Sequence, residues 1–362
     1  FNILLTAVLY ISMVYVNNAK HYHIVFTLLF IYGMYQLIEH SVLAHLDYIV
    51  YALIGILYLI FQSFTGKEDY LSKIFRLTSG VISFCAFIFI SFQGLLLRSD
   101  EDSFVLLAAY LIIAANYIIL ANMTKHTIFC YLAPIFLMAA SLQSYFVLLP
   151  GLNGKGLEIY LFTFAGGMFA GLYLFNHFKY FTVIKNSSFT VSIATMAIAI
   201  TASIFNEKLT ESSFLLFVFG AAAFIIYKHT ENKNLQRTSA WINPISWGLA
   251  IITLFDYLNT NYIFYQKQVE IIGHLALGGL VLLGLSYVWK KRKEPAFEIS
   301  TFLTGVALYT LSMLTAPLEG FEHPYLTSSI YFIGIAVYLL LVFKIKQKVL
   351  WIFVSVTALI FC

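Results

Sequence analysis

Stretches of about twenty apolar residues recur along the whole chain, separated by only a few polar or charged positions. A hydrocarbon layer about 30 Å thick is crossed by about 20 residues rising 1.5 Å each, so each stretch has the length of one crossing. The apolar residues run continuously instead of alternating with period two, which excludes the wall of a β-barrel. Backbone groups inside lipid must satisfy their own hydrogen bonds, and a continuous apolar run does so as an α-helix. The stretches fall at about 1–16, 24–44, 47–64, 75–97, 103–123, 127–149, 157–175, 187–205, 212–227, 239–259, 269–289, 297–316, 324–343 and 348–362. The expectation is an all-α, polytopic integral membrane helix bundle of about fourteen transmembrane helices joined by short loops, forming one domain over 1–362.

Composition excludes the alternatives. Of 362 residues, 61% are hydrophobic and 10% charged, against about 45–50% and 25% in a soluble domain. A water-soluble fold of this size has no means of hiding so much apolar surface. The net charge of +4 is not gathered into a basic run typical of nucleic-acid binding, so no nucleic-acid partner is expected. Cys85, Cys130 and Cys362 all lie in apolar runs without metal-type spacing and are expected to be buried, inert thiols. The chain opens and closes inside apolar runs and has no initiator Met, as expected of a fragment of a longer polypeptide.

Basic residues set the orientation. Only Arg98, Lys155, Lys208 and Lys267 fall in or beside even-numbered loops; the other seventeen of the 21 flank odd-numbered ones, including Lys67, Lys179 and Lys290. By the positive-inside rule the odd loops face the cytoplasm of a plasma membrane and both chain ends face outside. Inward-running helices tend to end in aromatic residues followed by lysine, as in Phe-Ile-Ile-Tyr-Lys228, Leu-Ser-Tyr-Val-Trp-Lys290 and Leu-Leu-Val-Phe-Lys344. Their spacing of about fifty to sixty residues suggests one helical hairpin repeated along the chain.

Outward-running helices share a second pattern. A polar residue recurs in the half expected to face outside: Glu39, Gln93, Gln143, Ser203, Asp256 and Ser312. Polar groups at such depth are costly against lipid and are expected to face one another or water; helix–helix hydrogen bonding is the alternative. Glu39 and His40 are the strongest candidates, with His45 and Asp47 just beyond; Glu270 and His274 have i, i+4 spacing, and Glu322 with His323 form another acid–imidazole element. No H-E-x-x-H or comparable cluster supports a metal, and neither metal nor cofactor is expected. His21, His23, His126, His177 and His229 are read as interface residues, and Gly166, Gly167, Gly171, Gly220, Gly273, Gly278, Gly279 and Gly284 as close-packing positions.

Three functional classes fit. The first is a transporter or flippase-like protein for an amphipathic or lipid-linked substrate, with an outward-facing polar pocket of Glu39, His40, Gln93, Gln143, Asp256 and His274. The second is a non-catalytic scaffold or receptor subunit whose spans bind partner membrane proteins. The third is a membrane-embedded enzyme on a lipid substrate, with Glu39 and outer histidines as acid and base. Membrane lipids are partners in all three.

Overall fold

The structure is a computed structural model that describes residues 2–17, 21–63, 70–94, 103–152, 154–174, 182–229, 233–261, 271–317 and 324–361. Lys67, Lys179, His177, Glu270, Lys267, Arg98, Glu322, His323 and Cys362 lie outside them, as does the side chain of His45.

Among the described residues there are fourteen α-helices and no strand. They are α1 (Asn2–Val16), α2 (Tyr22–Glu39), α3 (Asp47–Ser63), α4 (Tyr70–Phe92), α5 (Ser103–Thr124), α6 (Thr127–Leu148) and α7 (Leu157–Leu174). There follow α8 (Lys185–Phe205), α9 (Leu209–His229), α10 (Lys233–Asn261), α11 (Ile271–Lys291), α12 (Pro295–Thr315), α13 (Pro324–Ile345) and α14 (Trp351–Phe361). Nine of them, α4–α6 and α8–α13, are long and apolar enough to cross a membrane. α1, α3, α14 and part of α7 are shorter apolar helices. The fold is an all-α bundle with the composition of a multi-pass membrane protein.

One boundary differs in a way that matters. The second apolar stretch, expected to run as one helix to residue 44, stops at Glu39. Glu39, His40 and Ser41 place three polar residues together, the His40 and Ser41 backbone N–H groups turn back to the Gln36 and Ile38 carbonyls respectively, and Val42–Leu46 continues as a 3-10 helix. Asp47 then starts α3, its carboxylate accepting from the Tyr48 backbone N–H at 2.8 Å. Glu39 and His40 therefore sit exposed at the end of a helix and not deep within one.

Helices joined across the lysine-bearing connections pack together as pairs: α1/α2, α3/α4, α5/α6, α9/α10, α11/α12 and α13/α14. Three of these connections share a turn. Lys125, Lys293 and Lys346 have φ of 53°, 58° and 59°, and each is followed by a residue of negative φ, namely His126, Glu294 and Gln347. A left-handed lysine is sterically unfavourable relative to glycine, but a cation just past a helix C-terminus is favoured by the helix dipole. The common turn is a structural counterpart of the hairpin repetition in the sequence.

The chain divides into two compact units, Phe1–Ala197 and Ile198–Cys362, with the division inside α8. In the first unit the core forms where α3, α5 and α6 meet, around Tyr48, Tyr110, Ile113, Tyr117 and Phe136. At its centre Asn116, 0% exposed on α5, donates to Ser83 at 2.7 Å and Ser79 at 3.1 Å on α4. Ser79 in turn donates to the Gly55 carbonyl of α3 at 2.7 Å. With water absent from the bilayer interior, such bonds fix which faces of three otherwise apolar helices meet.

In the second unit, glycine brings two backbones together. A Cβ on Gly279 of α11 would lie 2.8 Å from the Gly305 carbonyl of α12, whereas one on Gly284 would meet nothing within 4 Å. Asn243 of α10 donates to the Gly220 carbonyl of α9 at 2.8 Å, and the Trp247 indole N–H to Phe217 O at 3.1 Å. Lysines of three connections gather at one end of this unit: Lys228 pairs with Glu294, and Lys344 with Glu298 at 2.8 Å, one turn further along α12. The aromatic residues before those lysines interlock there, with Trp289 stacked on Phe224 at 5.3 Å and Tyr227 edge-on to Phe297 at 4.7 Å.

Candidate functional site

The six candidate residues fall in three places. In the first unit Glu39 and His40 end α2, and Gln93 lies in a single π turn at the end of α4. Gln143 is buried at 7% exposure on α6, a helix that packs chiefly against α5 and α7. In the second unit Asp256 is half-buried on α10, close enough to act electrostatically on His274 of α11. His274 is 2% exposed, stacked on Phe255 at 6.3 Å with an interplanar angle of 15°, and its Nδ1 has no hydrogen-bond partner. Two other members of the polar layer act between helices: the Ser203 and Ser212 hydroxyls are 2.9 Å apart, and Ser312 donates to Ile272 O at 2.8 Å.

Glu39 and Gln93 stand at one end of a feature not anticipated from sequence. A cleft of about 660 Å³ runs between α2 and α4, with Tyr51 and Ile54 of α3 among its lining residues. Helices α2 and α4 run in the same direction because both run against α3. Phe26 and Phe30 early in α2 pack on Tyr58 late in α3, and Tyr51 early in α3 packs on Phe89 late in α4. At one end His23 of α2 meets Thr78 of α4, Nε2 to Oγ1 at 3.0 Å. Towards the other end Tyr51 of α3 lies edge-on to Phe89 of α4, their ring centroids 5.4 Å apart. Gln93 is one turn beyond Phe89, and Tyr35 in the cleft is one turn before Glu39 on α2, close enough for the carboxylate to act on it electrostatically. The walls between are mostly apolar: Leu28, Ile31, Leu77, Val81, Ile82 and Phe89. Such a volume falls within the range of small-molecule pockets.

One expectation, that Cys85 is buried, is corrected by this geometry. Cys85 is exposed and lines the cleft, whereas Cys130 is buried as expected. An apolar run in a membrane helix includes both lipid-facing and core-facing positions, so the run alone does not assign a thiol to either. His23, at the second residue of α2, is buried at 4% exposure, edge-on to Phe75 at 4.9 Å. It lies near the start of α2 on the face turned to α3 and α4, where Thr78 gives it a partner.

Among the described residues no group of three or more His, Cys, Asp or Glu is placed to hold a metal ion. Comparison with protein-family models, curated proteins and solved structures finds no match for the chain. Fold and composition together define the class: a multi-pass helical bundle of membrane type.

Proposed function

We propose that this protein is a transporter or flippase-like membrane protein for an amphipathic or lipid-linked substrate, which it takes up in the cleft between α2 and α4. The observation that carries the reading is the cleft itself, with apolar walls and Thr27, Tyr32, Tyr35 and Thr78 as polar points. Leu28, Leu77 and Val81, all strongly exposed, leave it open along its length. An amphiphile reaching it from the bilayer would keep its chain in an apolar environment while its polar end meets Tyr35 and Glu39. The lysine distribution puts the Glu39 end at the outer face of a plasma membrane. Glu39, His40 and Gln93 lie just past the lining residues at that end and are assigned to the site as part of this proposal. Gln143, Asp256 and His274 are not among the lining residues of the cleft.

The test is translocation of a fluorescent short-chain lipid in proteoliposomes. The reading requires movement between leaflets faster than in protein-free vesicles, and a return towards the protein-free rate in Val81→Trp, which fills the cleft from an exposed position. Folded, reconstituted protein that moves the probe no faster than empty vesicles contradicts it.

A further inference from the structure

We infer that the cleft selects amphiphiles whose headgroup is a cationic amine, held by Glu39 with the rings of Tyr32 and Tyr35 beneath it. This rests on the cleft being the substrate site and names the class of molecule that fits it.

The argument begins with where the charges lie. Residues 21–63 contain no lysine or arginine, and neither does the Glu39 end of α4, residues 83–94. The connecting segment 95–102 carries Arg98 against Asp100, Glu101 and Asp102, which leaves it net acidic. The basic residues of α4, Lys73 and Arg76, are at the His23 end. Asp47, the other acid close in sequence, already accepts from the Tyr48 backbone N–H. Glu39 is different: it is exposed at the C-terminus of α2, where the helix dipole is itself negative and disfavours a carboxylate. Its placement therefore adds nothing to helix stability, and it concentrates negative potential at the cleft mouth.

The face below completes the receptor. Leu28, Ile31, Tyr32 and Tyr35 of α2 line the cleft, and Tyr32, Tyr35 and Glu39 follow at i, i+3 and i+7, one helix face. Tyrosine rings attract an ammonium over their faces, and a carboxylate accepts its N–H groups in charge-assisted hydrogen bonds. An anionic head is repelled there, and a neutral hydroxyl can donate one hydrogen bond to the carboxylate but gains neither the charge pair nor the ring contact. Chain length and apolar walls supply affinity for any amphiphile; the mouth supplies the discrimination.

Cys85, exposed within the cleft, provides the readout. In a variant keeping it as the sole cysteine (Cys130→Ala, Cys362→Ser), the rate of maleimide labelling is measured in dodecyl maltoside micelles at neutral pH. Octadecylamine, octadecanol and octadecanoic acid are the competing probes. Octadecylamine is expected to protect Cys85 at about fivefold lower concentration than octadecanol, the size of an exposed charge pair with a ring contact; octadecanoic acid should be the weakest. Glu39→Gln should abolish the amine preference, with protection by octadecylamine falling to the level of octadecanol. Equal protection by all three probes, or an amine preference that survives Glu39→Gln, overturns the headgroup assignment while the cleft stands. Failure of every probe to protect Cys85 overturns the cleft reading and this one with it.

Discussion

His23 of α2 and Thr78 of α4 meet through Nε2 and Oγ1 at 3.0 Å, and this contact closes the end of the cleft away from Glu39. Around it, His23 packs edge-on against Phe75 and Tyr58, so the imidazole is fixed in direction as well as bonded. Thr78→Val keeps the shape and removes the hydroxyl that bonds the imidazole. Interhelical hydrogen bonds in membranes are worth about 0.6 kcal/mol on average and rarely more than about 1.7, so thermal stability should fall by about 1 kcal/mol. Cys85, two turns further along α4, should react faster with maleimide as α2 loosens. An unchanged labelling rate would show that the contact does not hold the cleft.

Glycines in the second unit are predicted to differ sharply from one another. Gly279→Ala places a methyl group 2.8 Å from the Gly305 carbonyl and 3.0 Å from the Tyr309 backbone nitrogen, both of them rigid backbone. The α11/α12 pair must then separate, and a loss of about 2 kcal/mol is expected, in the range for overpacking. Gly284→Ala meets nothing within 4 Å on the same helix and should be neutral or stabilising by up to about 1 kcal/mol through helix propensity. Thermal denaturation of both variants in one detergent checks the contrast.

Left-handed lysines offer the opposite change. Lys346 has φ 59°, and its backbone N–H bonds the Val342 carbonyl at 2.8 Å. Lys346→Gly relieves the conformational cost and should stabilise the protein by about 0.5–1 kcal/mol. Lys346→Ala keeps a Cβ in the same backbone region and should give no gain. A gain with alanine equal to that with glycine would mean that the turn carries no strain.

Much of the fold is legible in the sequence because the bilayer sets one length for every crossing. The helix starts expected at residues 103, 127, 157 and 324 are those observed for α5, α6, α7 and α13. Orientation of each helix about its own axis is not legible, because lipid-facing and core-facing positions are equally apolar. Tyr58 at 0% exposure and Tyr32 at 53% look alike in sequence, as do Cys130 and Cys85. The cleft depends on two helices that fail to close on each other over part of their length, and no single-helix pattern encodes that. Asn116 carried a usable signal, a lone amide in the middle of an apolar span, and it belongs to the hydrogen-bonded contact of α3, α4 and α5. Tyr35 and Cys85 line the cleft and required the structure, whereas Glu39, His40 and Gln93, which stand out in the sequence by polarity, are not among its lining residues.

The orientation taken from lysine placement has its own test in intact cells. Gly151 is exposed in the α6–α7 connection, and a side chain there meets nothing within 4 Å; Lys346 is exposed in the α13–α14 connection. Single cysteines introduced by Gly151→Cys and Lys346→Cys in a background lacking the native cysteines should respond oppositely to a membrane-impermeant maleimide. Position 151 should label directly, and position 346 only after permeabilisation. The reverse order would invert the topology and put Glu39 on the inner side.

The most direct measurement of the central claim is the location of crosslinks from a photoactivatable acyl chain added to the reconstituted protein. If the α2–α4 cleft takes up an amphiphile, adducts concentrate on Thr27–Tyr35 and Leu77–Phe89, and Val81→Trp removes them. Adducts spread evenly over the exposed faces of all the helices, unchanged by Val81→Trp, would contradict the account.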